Sequence, residues 1–364
     1  MRLKSATLSN ALPMRCDRFG RQGTISLTKE GLSEPLRIWA LLGARAGDNN
    51  QVLALCEAIG LPFEIKQLDY NGLRRLGPSL LGRSLASLTR QSRDLVFSGP
   101  PPDVSISAGH RSVPLVRALR QRSNNRTRSI HIGFPRVSPG HFDLVIATPQ
   151  YPIPDHPNLL RVPFALTRAA TAVPDPSDEP RLAKLPSPRR LLLVGGPNIY
   201  WKLDDRELLR TLAGMLDGAA NAGGSVLVTT SARTPPLVRS AIEAELARSD
   251  VPSVFAAPRS PPSYSSLLAA ADSIHVTADS VAMVSDAIWT GKPVATIPVA
   301  TSWLGRLAIA IFAGVGRRLY PQDLRDFWTA LDRIGISAQL ALPQTSTEQV
   351  LRTIMERVRP ILDR

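Results

Sequence analysis

The residues best suited to chemistry cluster in one stretch, 271–294, where Asp279, Ser280, Ser285 and Asp286 fall within a strand–turn–helix pattern. An apolar, β-branched run over 273–277 predicts a strand. It leads straight into Asp279-Ser280, either of which suits a helix N-cap. Gly291 and Pro293 end that helix and open a new strand. A helix that begins directly after a parallel strand aims free N–H groups at a ligand crevice, and small hydroxyl residues there suit a phosphate or diphosphate. Asp286, about one and a half turns further on, is placed to reach sugar hydroxyls. The stretch is therefore a candidate nucleotide-sugar site.

Other chemistry-bearing residues also follow predicted strands. Asp48, Asn49 and Asn50 come after a strand over 37–42, and either bind an acceptor or form an Asx-turn that caps the next helix. His110 and Arg111 follow a strand over 103–107. His110 is either a general base for an acceptor hydroxyl or a hydrogen-bonded structural residue. Arg111 holds a phosphate or faces water. Asp48 and His110 are the candidate catalytic pair. Gly195 and Gly196 let a backbone approach a diphosphate, or serve only a turn. Ser231, Arg233 and Thr234 bind phosphate through charge and helix N–H groups, or make a plain capped helix with Thr234 as cap and Pro235 in its first position. His275 lies mid-strand and reads as core. The chain has no Asp-x-Asp motif, so no metal and no cofactor are expected; a leaving diphosphate would be stabilised by helix N–H groups and Arg233.

The elements that must hold these residues alternate strand and helix, which implies parallel sheets. Residues 1–36 read as a disordered or weakly ordered extension, and 37–166 as an N-terminal α/β domain on the acceptor side. The Pro-rich stretch 167–188 reads as a linker. A C-terminal α/β domain over 189–346 would take the nucleotide sugar. A last helix over 347–364 is expected to cross back to the first domain. The fold class is α/β, with two facing doubly wound, Rossmann-like domains whose crevice lies beyond the strands' carboxyl ends. Residues 73–93 are predicted to be helical with a break near Gly77-Pro78. The helix over 303–312 is apolar on most of its surface and is predicted to be buried.

Charge narrows the partners. The net charge is +14, and 73–128 alone holds eleven arginines against Asp94 and Asp103, a local balance of +9. Such a patch attracts phospholipid headgroups, nucleic acid or phosphorylated substrates. Nucleic acid is the weakest of these, because aromatic residues do not interleave with the arginines as base stacking requires. No apolar run is long enough to span a bilayer. The expected location is cytoplasmic, with peripheral contact to a membrane through the Arg-rich first domain. A dinucleotide-dependent epimerase or dehydrogenase is excluded: neither leading strand is followed by Gly-x-Gly-x-x-Gly, no tyrosine opens a Tyr-x-x-x-Lys pair, and there is no Walker loop.

Asp286, followed by Gly291 and Pro293, resembles the Glu…Gly-x-Pro signature of GT-B nucleotide-sugar transferases such as the UDP-GlcNAc transferase of peptidoglycan synthesis. There the acid binds ribose hydroxyls and the helix start faces the diphosphate. This chain departs from that pattern at Ser280, where a glycine is usual, and in the shorter Asp286. A broader resemblance runs through Gly47-Asp48-Asn49-Asn50-Gln51, Ser107-Ala108-Gly109-His110-Arg111, Phe142-Asp143-Leu144-Val145, Thr230-Ser231-Ala232-Arg233-Thr234-Pro235 and Val276 to Asp286. On these motifs the chain is similar to the Elm ("elongated mitochondria") mitochondrial-fission family, which has plant and bacterial members. The resemblance implies a GT-B-like architecture and a metal-independent glycosyltransferase with a nucleotide-sugar donor and an anionic or lipid-linked acceptor. The alternative is a non-catalytic, membrane-associated adaptor on the same fold.

Overall fold

A computed structural model describes residues 36–169, 171–314 and 323–363. The predicted extension lies outside the described residues except for Leu36. The first half of the chain runs β1 (Ile38–Leu42), α1 (Ala46–Ile59), β2 (Phe63–Gln67), α2 (Pro78–Leu81), α3 (Arg90–Phe97), β3 (Val104–Ala108), α4 (Val113–Arg122), β4 (Arg128–Ile132), β5 (Leu144–Ala147) and β6 (Leu159–Arg161). All six strands pair in parallel, in the order β2-β1-β3-β4-β5-β6. The fully buried Ile-Trp-Ala-Leu-Leu of β1 is what an interior parallel strand, covered on both faces, requires.

The second half runs α5 (Glu179–Leu182), β7 (Arg189–Val194), β8 (Trp201–Leu203), α6 (Asp205–Ala222), β9 (Ser225–Thr230), α7 (Pro236–Ala247), β10 (Ser253–Ala256), α8 (Tyr264–Ala270), β11 (Ser273–Thr277), α9 (Val281–Trp289), β12 (Val294–Ile297), β13 (Val299–Thr301), α10 (Trp303–Gly314), α11 (Arg325–Arg333) and α12 (Thr347–Leu362). Five of its strands form a second parallel sheet, β10-β9-β7-β11-β12. β8 and β13 make a small antiparallel ribbon that the sequence pattern did not announce.

Both sheets are doubly wound, so the fold is the two-sheet, Rossmann-like α/β architecture of GT-B type. The outer face of the first sheet packs on α3 and α4 through Val96, Val113, Val116 and Leu119. The outer face of the second packs on α6 and α7 through Leu212, Met215, Val238 and Ile242. The two inner faces share one apolar cluster, which takes in Val52 and Leu55 of α1, Val284 and Ile288 of α9, and Ile354 and Val358 of α12. α12 reaches the first half, where the Arg357 guanidinium donates to the Pro157 carbonyl.

Several local expectations change. The helix expected to follow Asp48, Asn49 and Asn50 starts at Ala46, so all three lie inside α1 rather than in a loop. The stretch 73–93 is not one broken helix. A 3-10 turn, the four-residue α2 and then α3 replace it, because Pro78 restarts the chain and Gly82 adopts φ +61°. The Pro-rich segment is packed: Leu182 is buried, and Asp178 accepts from the Ser263 N–H at 2.7 Å. Thr234 does not cap α7. Its hydroxyl accepts from Ser231 N and donates back to the Val194 and Gly195 carbonyls, while Pro235 holds the N-cap position. Most of all, α10 is not buried. Trp303 is 67% exposed and Ile311 57%, because neither sheet has an uncovered face left to receive it.

Candidate functional site

In an open parallel sheet, ligands bind where the strand order reverses, outside the carboxyl ends of the two strands that flank the reversal. In the first sheet these strands are β1 and β3; in the second they are β7 and β11. The sequence-derived residues sort themselves onto these two crevices, and the crevices differ.

At the first crevice, Asp48, Asn49, His110 and Arg111 come together with Arg45 and Tyr70 around a small pocket. Asn49 is structural. Its side chain accepts from Gly43 N at 2.9 Å and donates to Gly43 O at 2.7 Å, pinning the turn between β1 and α1. The Asp48 carboxylate lies across from Gly109, where a Cβ would come within 2.8 Å of Asp48 Oδ2; Gly109 also has φ +71°. Among the described residues no hydrogen-bond or ion-pair partner engages that carboxylate. Burial raises its pKa, against the pull of Arg45 and Arg111. His110 moves the opposite way, down to about 4, through burial and then the charges of Arg136, Arg45 and Arg111. At neutral pH the imidazole is uncharged but a weak base. The shift of Asp48 runs toward working pH and that of His110 runs away from it. The first turn of α1 has no side-chain cap, which leaves its N–H groups available.

The second crevice is closed by the chain itself. Gly195 N donates to Thr277 Oγ1 at 2.7 Å, and Gly196 N donates to Asp279 Oδ2 at 2.8 Å. Arg233 reaches the same Asp279 oxygen at 3.3 Å and the Gly196 carbonyl at 2.7 Å. Thr277 donates to the other carboxylate oxygen at 2.6 Å. The two glycines are required by this closeness: a Cβ on Gly195 would lie 2.2 Å from Asp279, and one on Gly196 would lie 2.4 Å from the Arg233 backbone. Burial lifts the Asp279 pKa, and its hydrogen bonds and Arg233 oppose that. Ser280, not Asp279, caps α9, accepting from Met283 N at 3.4 Å. The donors expected to meet a phosphate therefore meet a carboxylate of the protein.

Between the two halves lies a cavity of about 410 Å³. Gly47, Asp48, Asn50 and Gln51 of α1 line one side, and Val281, Ala282, Ser285 and Asp286 of α9 the other. Thr148, Gln150 and Tyr151, in the loop after β5, and Leu166 and Thr167 of the crossover complete it. Ser285 and Asp286 also fasten this crossover. Ser285 Oγ accepts from Ala165 N at 2.9 Å, Trp289 donates to Ala165 O at 2.8 Å, and Thr167 donates to Asp286. Tyr264 donates to the second Asp286 oxygen at 3.0 Å. Burial raises the Asp286 pKa and drives that of Tyr264 well above the usual phenol range. Gly195, Gly196, Ser231, Arg233, Thr234 and Asp279 do not line this cavity. Sequence reasoning missed Thr148, Gln150, Thr167 and Tyr264. Only the first two had a signal, since they follow a parallel strand's carboxyl end.

Comparison with known proteins places these features. A family model described as "Mitochondrial fission ELM1" matches residues 46–311, well over half of the chain. The chain is 28% identical over 243 residues to the "Mitochondrial fission protein ELM1" of Arabidopsis thaliana, covering 58% of this chain and 54% of the plant protein. It thus spans about half the length of that relative. It is 23% identical over 298 residues to the uncharacterized protein RP120 of Rickettsia prowazekii, covering 71% of this chain and 82% of the other. Among solved structures, the UDP-GlcNAc 2-epimerase of Methanocaldococcus jannaschii aligns at 11% identity and TM-score 0.49, covering 89% of this chain and all of that one. The family model spans α1, α9 and most of the residues that line the crevices and the cavity, and the chain belongs to the mitochondrial fission ELM1 family.

Proposed function

We propose that the cavity between α1 and α9 binds a nucleotide-diphosphate sugar, and that the protein transfers the sugar to an acceptor hydroxyl. The observation that carries this reading is Asp48: among the described residues an unpartnered, half-buried carboxylate on the wall of a cavity built by the first turns of two helices. In the proposed step the acceptor oxygen attacks the anomeric carbon and gives its proton to the Asp48 carboxylate. The anomeric C–O bond to the diphosphate breaks, and its electron pair leaves with the diphosphate. The uncapped N–H groups of the α1 first turn face the charge that develops there.

The adaptor reading has one specific observation in its favour. Asp279 saturates the donors of the second crevice, and Asp286 is already bound by Thr167 and Tyr264. Thermal denaturation with UDP-, GDP-, dTDP- and CMP-sugars separates the two. One class is expected to stabilise the protein, by about 2.7 kcal/mol at a hundred times its Kd. Ala282→Trp fills the cavity from an exposed position and abolishes the shift. Asp48→Asn keeps the shift but lowers release of the nucleoside diphosphate by about 10²- to 10⁴-fold. No stabilisation by any of the four classes sinks the transferase reading in favour of the adaptor.

A further inference from the structure

Apart from Tyr70 at its base, which lines the first crevice, the excursion between β2 and α3 takes no part in the crevices or the cavity, and its construction is unusual. Its base is locked. Tyr70 and Leu88 form an antiparallel bridge, Asn71 N donates to Ser87 O at 2.9 Å, and the Asn71 side chain donates to Ala86 O and Leu88 O at 2.7 and 3.0 Å. The Arg93 guanidinium donates to the same two carbonyls at 2.9 and 3.1 Å. Pro78 is buried and α2 lies against α4. The loop turns Leu85 and Leu88 inward but presents three other leucines to water: Leu73 is 45% exposed, Leu76 42% and Leu80 79%. Exposed Arg74, Arg75 and Arg83 stand between and beside them, and no acidic residue occurs over 70–93. The positive charge continues onto α4, where burial and then the neighbouring Arg83 charge lower the pKa of Arg117.

We propose that this excursion docks the protein on a lipid bilayer that carries anionic headgroups. Leucines interleaved with arginines match an interface whose surface is negative and whose interior, a few ångströms deeper, is apolar. Nucleic acid suits the arginines but not the leucines, which cannot stack on bases.

The test is co-sedimentation of the full chain with vesicles of phosphatidylcholine alone or mixed with phosphatidylglycerol. Binding is expected only to the mixed vesicles and is expected to weaken with salt. Each arginine contributes about five-fold, so R74Q/R75Q/R83Q loses about a hundredfold. L73S/L76S/L80S also weakens binding, by about tenfold or more, at unchanged charge. The control R206Q/R248Q/R352Q removes the same charge from exposed sites elsewhere and is expected to bind nearly as the parent does. All the substituted positions are exposed, and unchanged melting curves confirm that the variants fold. The nucleotide-sugar shift is expected to persist in them, so the two proposals fail separately. Equal binding to neutral vesicles, no binding to anionic ones, equal loss in the control, or capture of a short RNA in place of vesicles would each overturn the docking assignment.

Discussion

Asp279→Ala is expected to cost about 2–4 kcal/mol of folding stability, chiefly because the buried Gly196 N–H and Thr277 hydroxyl lose their acceptor, while the half-exposed Arg233 turns to water. The Asp279 side chain is wholly buried, and its carboxylate accepts from Gly196 N, Thr277 Oγ1 and Arg233. Alanine leaves the two buried donors facing an empty space. Asp279→Asn keeps an acceptor oxygen and is expected to cost less, about 1–3 kcal/mol. Urea unfolding followed by circular dichroism measures both; a loss under about 1 kcal/mol for the alanine variant would show that the network does not hold the second crevice together. The alanine variant also reports on function. The Gly196 N–H, the Thr277 hydroxyl and a guanidinium would then surround a vacated anion position, so inorganic phosphate is expected to stabilise Asp279→Ala more than the parent.

Acid is expected to unfold the protein well before its carboxylates reach their ordinary titration range. His131 is fully buried and its pKa is held down at about 3, first by burial and then by His110; His110 and His275 are held at about 4. Each folded-state value lies below the ordinary 6.5, so above pH 6.5 both states are neutral and stability is full. As pH falls from 6.5 toward 4 the unfolded chain takes up protons that the folded one refuses, and stability is lost. His131 alone accounts for on the order of 3 kcal/mol across that window. The raised carboxylates Asp48, Asp279 and Asp286 act in the opposite sense, since protonation favours their folded form. His131 bonds Ser107 Oγ through Nδ1 at 3.0 Å, leaves Nε2 unpartnered and packs on Phe142. His131→Phe removes the ionisable group at similar volume and is expected to move the acid midpoint lower. An unchanged midpoint would remove His131 from this account.

Particular residues show how far the sequence could be read. The apolar run of β1, the β-branched residues of β3, β9 and β11, and the Gly291 stop after α9, with its φ of +69°, were visible because local sterics and burial write themselves into residue type. The two doubly wound sheets followed from the alternation of those runs with helices. Even the grouping of Asp48, His110 and Arg111 was legible, since all three follow strands that prove to be neighbours.

Partnership was not legible. Nothing in Gly195-Gly196 says that Asp279, more than eighty residues away, supplies the acceptor for the Gly196 N–H, or Thr277 the one for Gly195. Nor does Asp286 announce Thr167 and Tyr264. The apolar α10 looked like core because its composition is that of a buried helix, but whether an apolar helix is covered depends on which sheet faces remain free, and none does. The sequence by itself determined the elements, their order and the loops that must line the crevices, because these depend on near neighbours and on periodicity. Only the tertiary structure decided which crevice is open and which is filled, because a hydrogen bond is settled by the few ångströms between groups that the chain's own spacing does not record.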